Sequence, residues 1–330
     1  MSIPSFRNAE DFLAFLKKVA VSPMAQVQGP PNAEFRTIVE KRDLGAAVTI
    51  DRAYDDIVVD LWDEIEPIVR EECLLSGQVA IGALDNIAAN AMCARSPEGF
   101  LAVLLNAGLF TLLNKLSKLS VASSDAGSVV YCNRCPGPEV TPELAHQWYL
   151  DTCAHYAATG KPQGPQMHLT EPATELHAVQ LNVWEVFVLC HEVGHIGAGH
   201  LADRDWKPNA ALGMVQSSSM DFTHGQELDA DLFGYLILRG WYYRNEARKG
   251  PEDDRPLLAH VMNLFDLLYL TGSRESTSHP DPLDRIVFLA GTIYGSAFGD
   301  GVAASYGRPE LLAELLDRPL VPREPPDPGP

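Results

Sequence analysis

The sequence lacks an apolar run long enough to cross a membrane. Its longest uncharged run, Gly99 to Asn114, has 16 residues, whereas a transmembrane helix needs about 20 predominantly apolar residues. We therefore predict that this run forms a buried core helix. The first residues also contain no basic segment followed by an apolar stretch. We expect no secretory signal, no membrane span and a cytoplasmic location.

Basic residues are scarce relative to acidic ones. Lys and Arg total 25 against 44 for Asp and Glu, which gives a formal net charge of −19. Such a surface repels the phosphate groups of nucleic acids and of anionic lipids. Nucleic acid and membrane surfaces are thus poor candidates as partners, and we expect a polypeptide partner instead. The sequence leaves the oligomeric state open.

Cysteine is also infrequent, with six residues in the chain. In a cytoplasmic protein, free thiols or metal ligation are favoured over disulfides. Cys132 and Cys135 form a C-x-x-C motif, and Cys153 and His155 follow. Three interpretations stay open: a structural zinc site made by these four residues, a redox pair, or unrelated loop thiols. No βαβ pattern surrounds the motif, which counts against the redox pair.

The strongest motif present is H-E-x-x-H at residues 191–195. On a helix, His191 and His195 are four residues apart and project from the same face, where two imidazoles can bind Zn²⁺. Glu192 is then the candidate general base. The preceding apolar residues recur at spacings of three and four, which predicts a helix from about Thr174 to Ile196. The alternative is a helix that carries two histidines by chance.

A second acidic motif supplies further ligand candidates. Glu227 and Asp231 are four residues apart and share a helical face in the predicted helix 227–241. A zinc site with two histidines needs a third protein ligand, and Glu227 fits that role. Asp231 can accept the free ring N–H of a ligand histidine. The alternative is an acidic first turn of an ordinary helix.

Two other histidines lie near these motifs. His200 follows His195 by five residues, about 140° further around an ideal helix, so we predict a cap or surface histidine rather than a ligand. His279 precedes Pro280 at the entrance of a predicted helix. Three roles stay open for His279: a donor to the developing oxyanion, which we favour, a fourth ligand that caps the zinc, or a structural histidine of the turn.

The three motifs together resemble a known group of enzymes. H-E-x-G-H with a following histidine, then E-x-x-A-D, then H-P-x-x-x-R-I resemble the HtpX-type and CAAX prenyl endopeptidases among the gluzincin metallopeptidases, and more distantly the Lit-type phage-exclusion peptidases. The resemblance covers roughly residues 175–290. It implies that the zinc ligands are His191, His195 and Glu227, that Glu192 is the base, that Asp231 lies behind the ligands, and that His279 and Arg285 line the cleft.

The predicted fold is mainly α (α+β), a zincin-like peptidase domain with the H-E-x-x-H helix and a small edge sheet. We predict a helical N-terminal region over residues 1–120, with helices at 78–94 and 96–119, a peptidase domain over 121–317, and a disordered proline-rich tail over 318–330. Residues 166–170 are the candidate edge strand, along which an extended substrate would bind.

The sequence therefore predicts a zinc-dependent endopeptidase with one catalytic zinc ion. Two alternatives remain. The chain can be a toxin- or defence-type effector that cuts one target protein, or a zinc-binding regulatory protein whose fold is that of a former peptidase. The presence of Glu192 counts against the last alternative, since a site that only binds metal does not need that carboxylate.

Overall fold

The computed structural model describes residues 5–19, 50–72, 75, 77–202, 222–245, 254–271 and 279–305. This part of the chain is mainly helical, as the sequence predicts. No helix within it is long and apolar enough to cross a membrane. The proline-rich segment 318–330 lies outside the described residues.

The helices and strands are numbered in chain order. The helices are α1 (Ala9–Val19), α2 (Ile50–Glu72), α3 (Ala107–Ser124), α4 (Pro142–Thr159), α5 (Glu171–Gly197), α6 (His224–Asn245), α7 (Arg255–Leu270), α8 (Pro282–Tyr294) and α9 (Ser296–Ser305). The strands are β1 (Val79–Leu84), β2 (Ala91–Arg95), β3 (Leu101–Asn106), β4 (Val129–Cys132) and β5 (Met167–Leu169).

The predicted helix at 78–94 is wrong, and the one at 96–119 is wrong over its first half and confirmed from Ala107 onward. Residues 79–106 form a three-stranded sheet in the order β1-β3-β2, with β1 parallel and β2 antiparallel to β3. Only the segment from Ala107 onward is helical. All but the first residue of β3 is buried, and a strand buried on both faces lacks the alternation that distinguishes it from a buried helix.

Both faces of this sheet are covered by helices. Ala102 and Leu104 of β3 point toward α1 and form a small cluster with Phe12 and Leu16. The alternate residues Val103 and Leu105 belong to the main core, as the two-residue period of a strand requires. The sheet thus lies between α1 and the helices that carry the predicted site. Of its strands, β2 and β3 contact α5.

Two glycines bring α5 and α6 unusually close together. A Cβ added at Gly194 would lie 2.7 Å from the carbonyl oxygen of Ala230, and one added at Gly234 would lie 2.9 Å from the backbone nitrogen of His191. Real Cβ atoms essentially never approach other atoms this closely. Gly194 stands inside the H-E-x-x-H motif, so its lack of a side chain allows the two predicted metal helices to meet.

The second sheet is small and separate. Strand β5 pairs antiparallel with β4, so the predicted strand at 166–170 exists, but its partner is β4. The strands that pack against the H-E-x-x-H helix are β2 and β3, and β2 is the one at an edge of its sheet. The predicted domain boundary at residue 120 falls inside α3, whose Leu116 and Leu119 belong to the same core as Val186 and Leu189 of α5.

Candidate metal centre

The centre lies where the C-terminal part of α5 meets the first turn of α6. His191 and His195 project from one face of α5, and Glu227 lies opposite them on α6. The Nε2 atom of His191 is 3.5 Å from one carboxylate oxygen of Glu227, and the Nε2 atom of His195 is 3.6 Å from the other. These ligand atoms all lie within 4.8 Å of one another. The cluster can therefore hold a metal ion.

The burial and charge of the ligand residues favour a bound cation. Glu227 is 1% exposed, and its Oε2 atom makes no hydrogen bond among the described residues, with nitrogen atoms of His191, His279 and Arg285 at 3.5, 3.6 and 4.0 Å. A buried carboxylate oxygen without a partner is costly. A divalent ion in contact with Glu227 and the two imidazoles would remove that cost, so the residues present fit a metal.

A buried ion pair fixes the first histidine. The Nδ1 atom of His191 donates to Asp231 Oδ1 at 2.9 Å, which leaves Nε2 directed at Glu227. Arg285 of α8 donates two hydrogen bonds of 2.7 Å to the Asp231 carboxylate and lies over the ring of Phe265. Burial raises the pKa of Asp231, but Arg285 more than offsets this and lowers it. Asp231 thus stays ionised and sets the tautomer and orientation of His191.

The two carboxylates also favour positive charge on this side of the cluster. Burial lowers the pKa of His191, but the hydrogen bond to Asp231 and the negative charges of Asp231 and Glu227 outweigh it and raise the pKa to about 10. A group of this kind attracts either a proton or a metal ion. Burial lowers the pKa of His195, so that imidazole is neutral, which is the form that ligates a metal.

The second histidine is fixed by His200, which the sequence did not indicate. The Nδ1 atoms of His195 and His200 are 2.9 Å apart, so one ring donates a hydrogen bond to the other. The side chain of His200 is 8% exposed, and its Nε2 atom lies 3.8 Å from Asp229. His200 is not part of the ligand cluster, as predicted, but its side chain is not at the surface.

A turn at the end of α5 explains this position. The helix ends at Gly197, and Gly199 has a positive φ of 75°. The N–H of His200 then donates to the carbonyl of His195 at 3.0 Å, and that of Gly199 to Ile196. These two bonds define a Schellman motif. Because the chain folds back here, the angle extrapolated from an ideal helix does not apply.

Phe222 also supports the second histidine. Its ring stacks on His195 with centroids 3.7 Å apart and an interplanar angle of 11°. Phe222 is 4% exposed and lies just before α6, so it fills the space beside the ligand at the helix entrance. No motif in the sequence pointed to this contact.

Glu192 lies beside the metal cluster without belonging to it. Burial raises its pKa to about 7, and the charge of Glu227 acts in the same direction, against opposing effects of His191 and Cys93. Cys93, on strand β2, lies close enough to the Glu192 carboxylate that its thiol and its backbone N–H lower the pKa of Glu192. No motif points to this contact, since the sequence pattern around Cys93 predicts a helix.

His279 approaches the cluster from the opposite side. Its Nε2 atom is 3.6 Å from Glu227 Oε2, and its side chain is 32% exposed, whereas His195 and Glu227 are each 1% exposed. Burial lowers the pKa of His279, although the Glu227 charge opposes this. His279 is thus a partly exposed imidazole at the mouth of the site.

The cysteine motif does not form a second metal site. Within the residues described, the group of three or more possible ligands is His191, His195 and Glu227. Cys132 and Cys135 are neighbours, since burial and the adjacent Cys132 raise the pKa of Cys135. The set of Cys132, Cys135, Cys153 and His155 does not converge, and these cysteines are free thiols.

Comparison of the chain with models of protein families, with curated proteins and with solved structures gave no match. The chemistry of the site therefore has to be argued from its own geometry.

Proposed function

We propose that the protein is a zinc-dependent endopeptidase of the gluzincin kind. The observation that supports this most directly is the position of Glu192. A buried carboxylate stands next to a His-His-Glu cluster, lies beside Cys93, and is not itself one of the clustered ligands. A site that only stores a metal gains nothing from a second buried carboxylate, whereas hydrolysis requires a base there.

The ligand set favours zinc. His191, His195 and Glu227 would hold the ion, and two imidazoles with one carboxylate are a usual set for catalytic zinc, which keeps one coordination position open. When bound, zinc supplies Lewis acidity, which activates water and polarises a carbonyl group.

Side chains of the protein carry out the proton transfers of hydrolysis and orient the ligand histidines. Glu192 takes a proton from the attacking water and later delivers it to the leaving amine. Cys93 lies beside this carboxylate and favours its ionised form, in which it accepts the proton. Asp231 and His200 hold the two ligand histidines through their Nδ1 atoms, so that both Nε2 atoms remain directed at the centre of the cluster.

His279 is the candidate donor to the developing oxyanion. It lies at the mouth of the site, within 3.6 Å of the ligand Glu227, and it is the partly exposed histidine of the group. A neutral imidazole carries one N–H and can donate it to a negatively charged oxygen.

The edge of β2 supplies a surface for an extended polypeptide. In the sheet order β1-β3-β2, no described strand pairs with the outer edge of β2. Cys93 of this strand already contacts Glu192, and Arg95 at its end donates to the carbonyl oxygen of Ala202, beyond the end of α5. A substrate strand added along β2 would bring its peptide bonds alongside the base.

Glu192→Gln tests the proposal. Purified wild type, Glu192→Gln and the control Glu175→Gln, which changes an exposed residue of the same helix, are incubated with a cell lysate, and new peptide N-termini are sequenced. We expect cleavage by wild type and Glu175→Gln, and at least a roughly 100-fold loss in Glu192→Gln with zinc still bound. Equal cleavage by Glu192→Gln would overturn the assignment of the base. Absence of cleavage by a zinc-loaded wild type would overturn the peptidase function.

A further inference from the structure

A cavity lies between α2, α3 and α5, away from the metal cluster. Its volume is about 310 Å³, at the lower end of the range typical of small-molecule sites. Ile57 and Asp60 of α2 and Asn182 of α5 line it and are exposed, whereas Phe110 and Glu185 line it and are buried. The cavity is thus open at one end and has a carboxyl group in its interior.

Glu185 has no partner for its carboxyl group. The residue is 6% exposed, and no hydrogen bond or ion pair to it occurs among the described residues. Burial is the cause that raises its pKa, to about 8, with no neighbouring charge contributing. Asn114 on α3, which lines the same cavity, has a buried Oδ1 atom that also lacks a hydrogen-bond partner. The Glu185 carboxyl group therefore borders the cavity without a hydrogen bond or ion pair from the described residues, which is costly unless a ligand donates to it.

The rest of the lining favours a cation with an apolar body. Tyr54 stacks on Phe110 with centroids 5.4 Å apart, and its hydroxyl is held by Thr111 at 3.0 Å. Aromatic faces attract cations, and Leu61 and Leu181 add apolar surface. The exposed carboxylate of Asp60 at the open end adds negative charge.

We propose that this cavity binds a small organic cation, a primary alkylammonium ion, with its head group at Glu185. An ammonium group has three donors and no acceptor, which suits a carboxyl group that has no protein partner and ionises when the cation binds. Its alkyl chain would lie against Phe110 and Leu61. The acidic side chains of Glu185 and Asp60 disfavour an anion. A bare metal ion would make no contact with the apolar part of the lining.

The site is separate from the metal cluster, so its test needs no enzymatic assay. No residue of the lining is one of the clustered ligands. Glu185 precedes Glu192 by seven residues on the same face of α5, which places it about 10 Å along the helix axis. Failure of the peptidase proposal would therefore leave this one unaffected, and the reverse also holds.

Isothermal titration calorimetry with n-pentylammonium chloride tests the proposal, with n-pentanol as the uncharged probe of equal length. We expect one binding site in wild type and in the control Glu175→Gln, and an affinity roughly 10- to 100-fold lower in Glu185→Gln, because a hydrogen bond to a charged group is removed. Asp60→Asn, at the exposed end, should weaken binding only a few-fold. It serves as the second variant if Glu185→Gln does not fold.

A proton count gives an independent measurement on wild type alone. Since the buried Glu185 is mostly protonated at pH 7, pairing with the cation should release about one proton per site. Titrations in phosphate and in MOPS buffers, neither of which contains a primary amine, measure this number. Asp60 and Tyr54 are the other titratable groups of the lining. Absence of pentylammonium binding, equal binding of n-pentanol, equal binding by Glu185→Gln, or no proton release would each overturn the proposal.

Discussion

Gly234→Ala tests the close contact that builds the metal centre. The added Cβ would lie 2.9 Å from the backbone nitrogen and 3.0 Å from the Cα atom of His191. Ordinary contacts begin at 3.4 Å, and backbone atoms of a long helix cannot turn aside. Helices α5 and α6 must therefore separate by roughly half an ångström at this point. Metal–ligand distances are held within about 0.2 Å, so Glu227 would no longer meet the two histidines correctly.

The size of the effect follows from two opposing contributions. Overpacking costs about 1–3 kcal/mol, and replacing a helical glycine by alanine gains up to about 1 kcal/mol. Gly225→Ala, in the first turn of the same helix, is the control. Comparing the two variants separates the cost of overpacking from the gain in helix propensity. At Gly225 an added Cβ meets no atom closer than 4.0 Å, so this variant has the gain without the clash.

Urea unfolding of the metal-free proteins, followed by circular dichroism, measures the stabilities, and elemental analysis measures bound zinc. We expect Gly234→Ala to be about 1–3 kcal/mol less stable than Gly225→Ala and to bind zinc more weakly. If the two variants were equally stable and held zinc equally well, the argument that Gly234 permits the helix contact would be refuted.

Three further changes test other parts of the account. Asp231→Ala should weaken zinc binding about 10- to 100-fold by releasing His191, measured by chelator competition; unchanged affinity would contradict the role of the buried ion pair. His279→Ala should lower kcat about 100- to 1,000-fold with zinc retained; raised turnover would instead identify a capping ligand. Glu185 has a folded-state pKa of about 8 against an ordinary 4.5, so between these pH values the folded state keeps a proton that the unfolded state releases. Stability of wild type relative to Glu185→Gln should thus fall by a few kcal/mol as pH rises from 5 to 8, and a pH-independent difference would contradict the burial argument.

The helices that carry the candidate ligands could be predicted because their signals are local. The spacing of four residues between His191 and His195, and again between Glu227 and Asp231, places each pair on one helical face whatever surrounds it. Observed helices α5 and α6 contain both predicted segments. The glycine inside the first motif could be seen in the sequence, but its contact with Ala230 depends on the partner helix.

The sheet could not be predicted because its strands are defined by tertiary contacts. Ala80 and Ala102 are each 1% exposed or less, and alanine favours a helix when its neighbours do not decide otherwise. Only the pairing of β3 with both β1 and β2 makes these segments extended. The contact between Cys93 and Glu192 was missed for the same reason.

The residues that hydrogen-bond to the two ligand histidines were predicted only in part. Asp231 follows from its spacing, but His200 depends on the turn at Gly199, which reverses the chain after α5. A glycine shortly after a helix is a recognisable signal for such a turn. Gly197 and Gly199 carry this signal, so the end of α5 could be predicted. The contact between His200 and His195 could not, because it depends on the direction in which the chain turns.

Zinc content is the most direct test of the central claim that His191, His195 and Glu227 form a metal site with Glu192 outside it. Wild type, Glu227→Ala and Glu192→Gln are purified in parallel, dialysed against a chelator, reloaded with zinc and assayed by elemental analysis, with circular dichroism to show that each is folded. The account predicts one zinc ion per chain in wild type and in Glu192→Gln, and a strong loss in Glu227→Ala. Full zinc occupancy in a folded Glu227→Ala, or loss of zinc in Glu192→Gln, would contradict it.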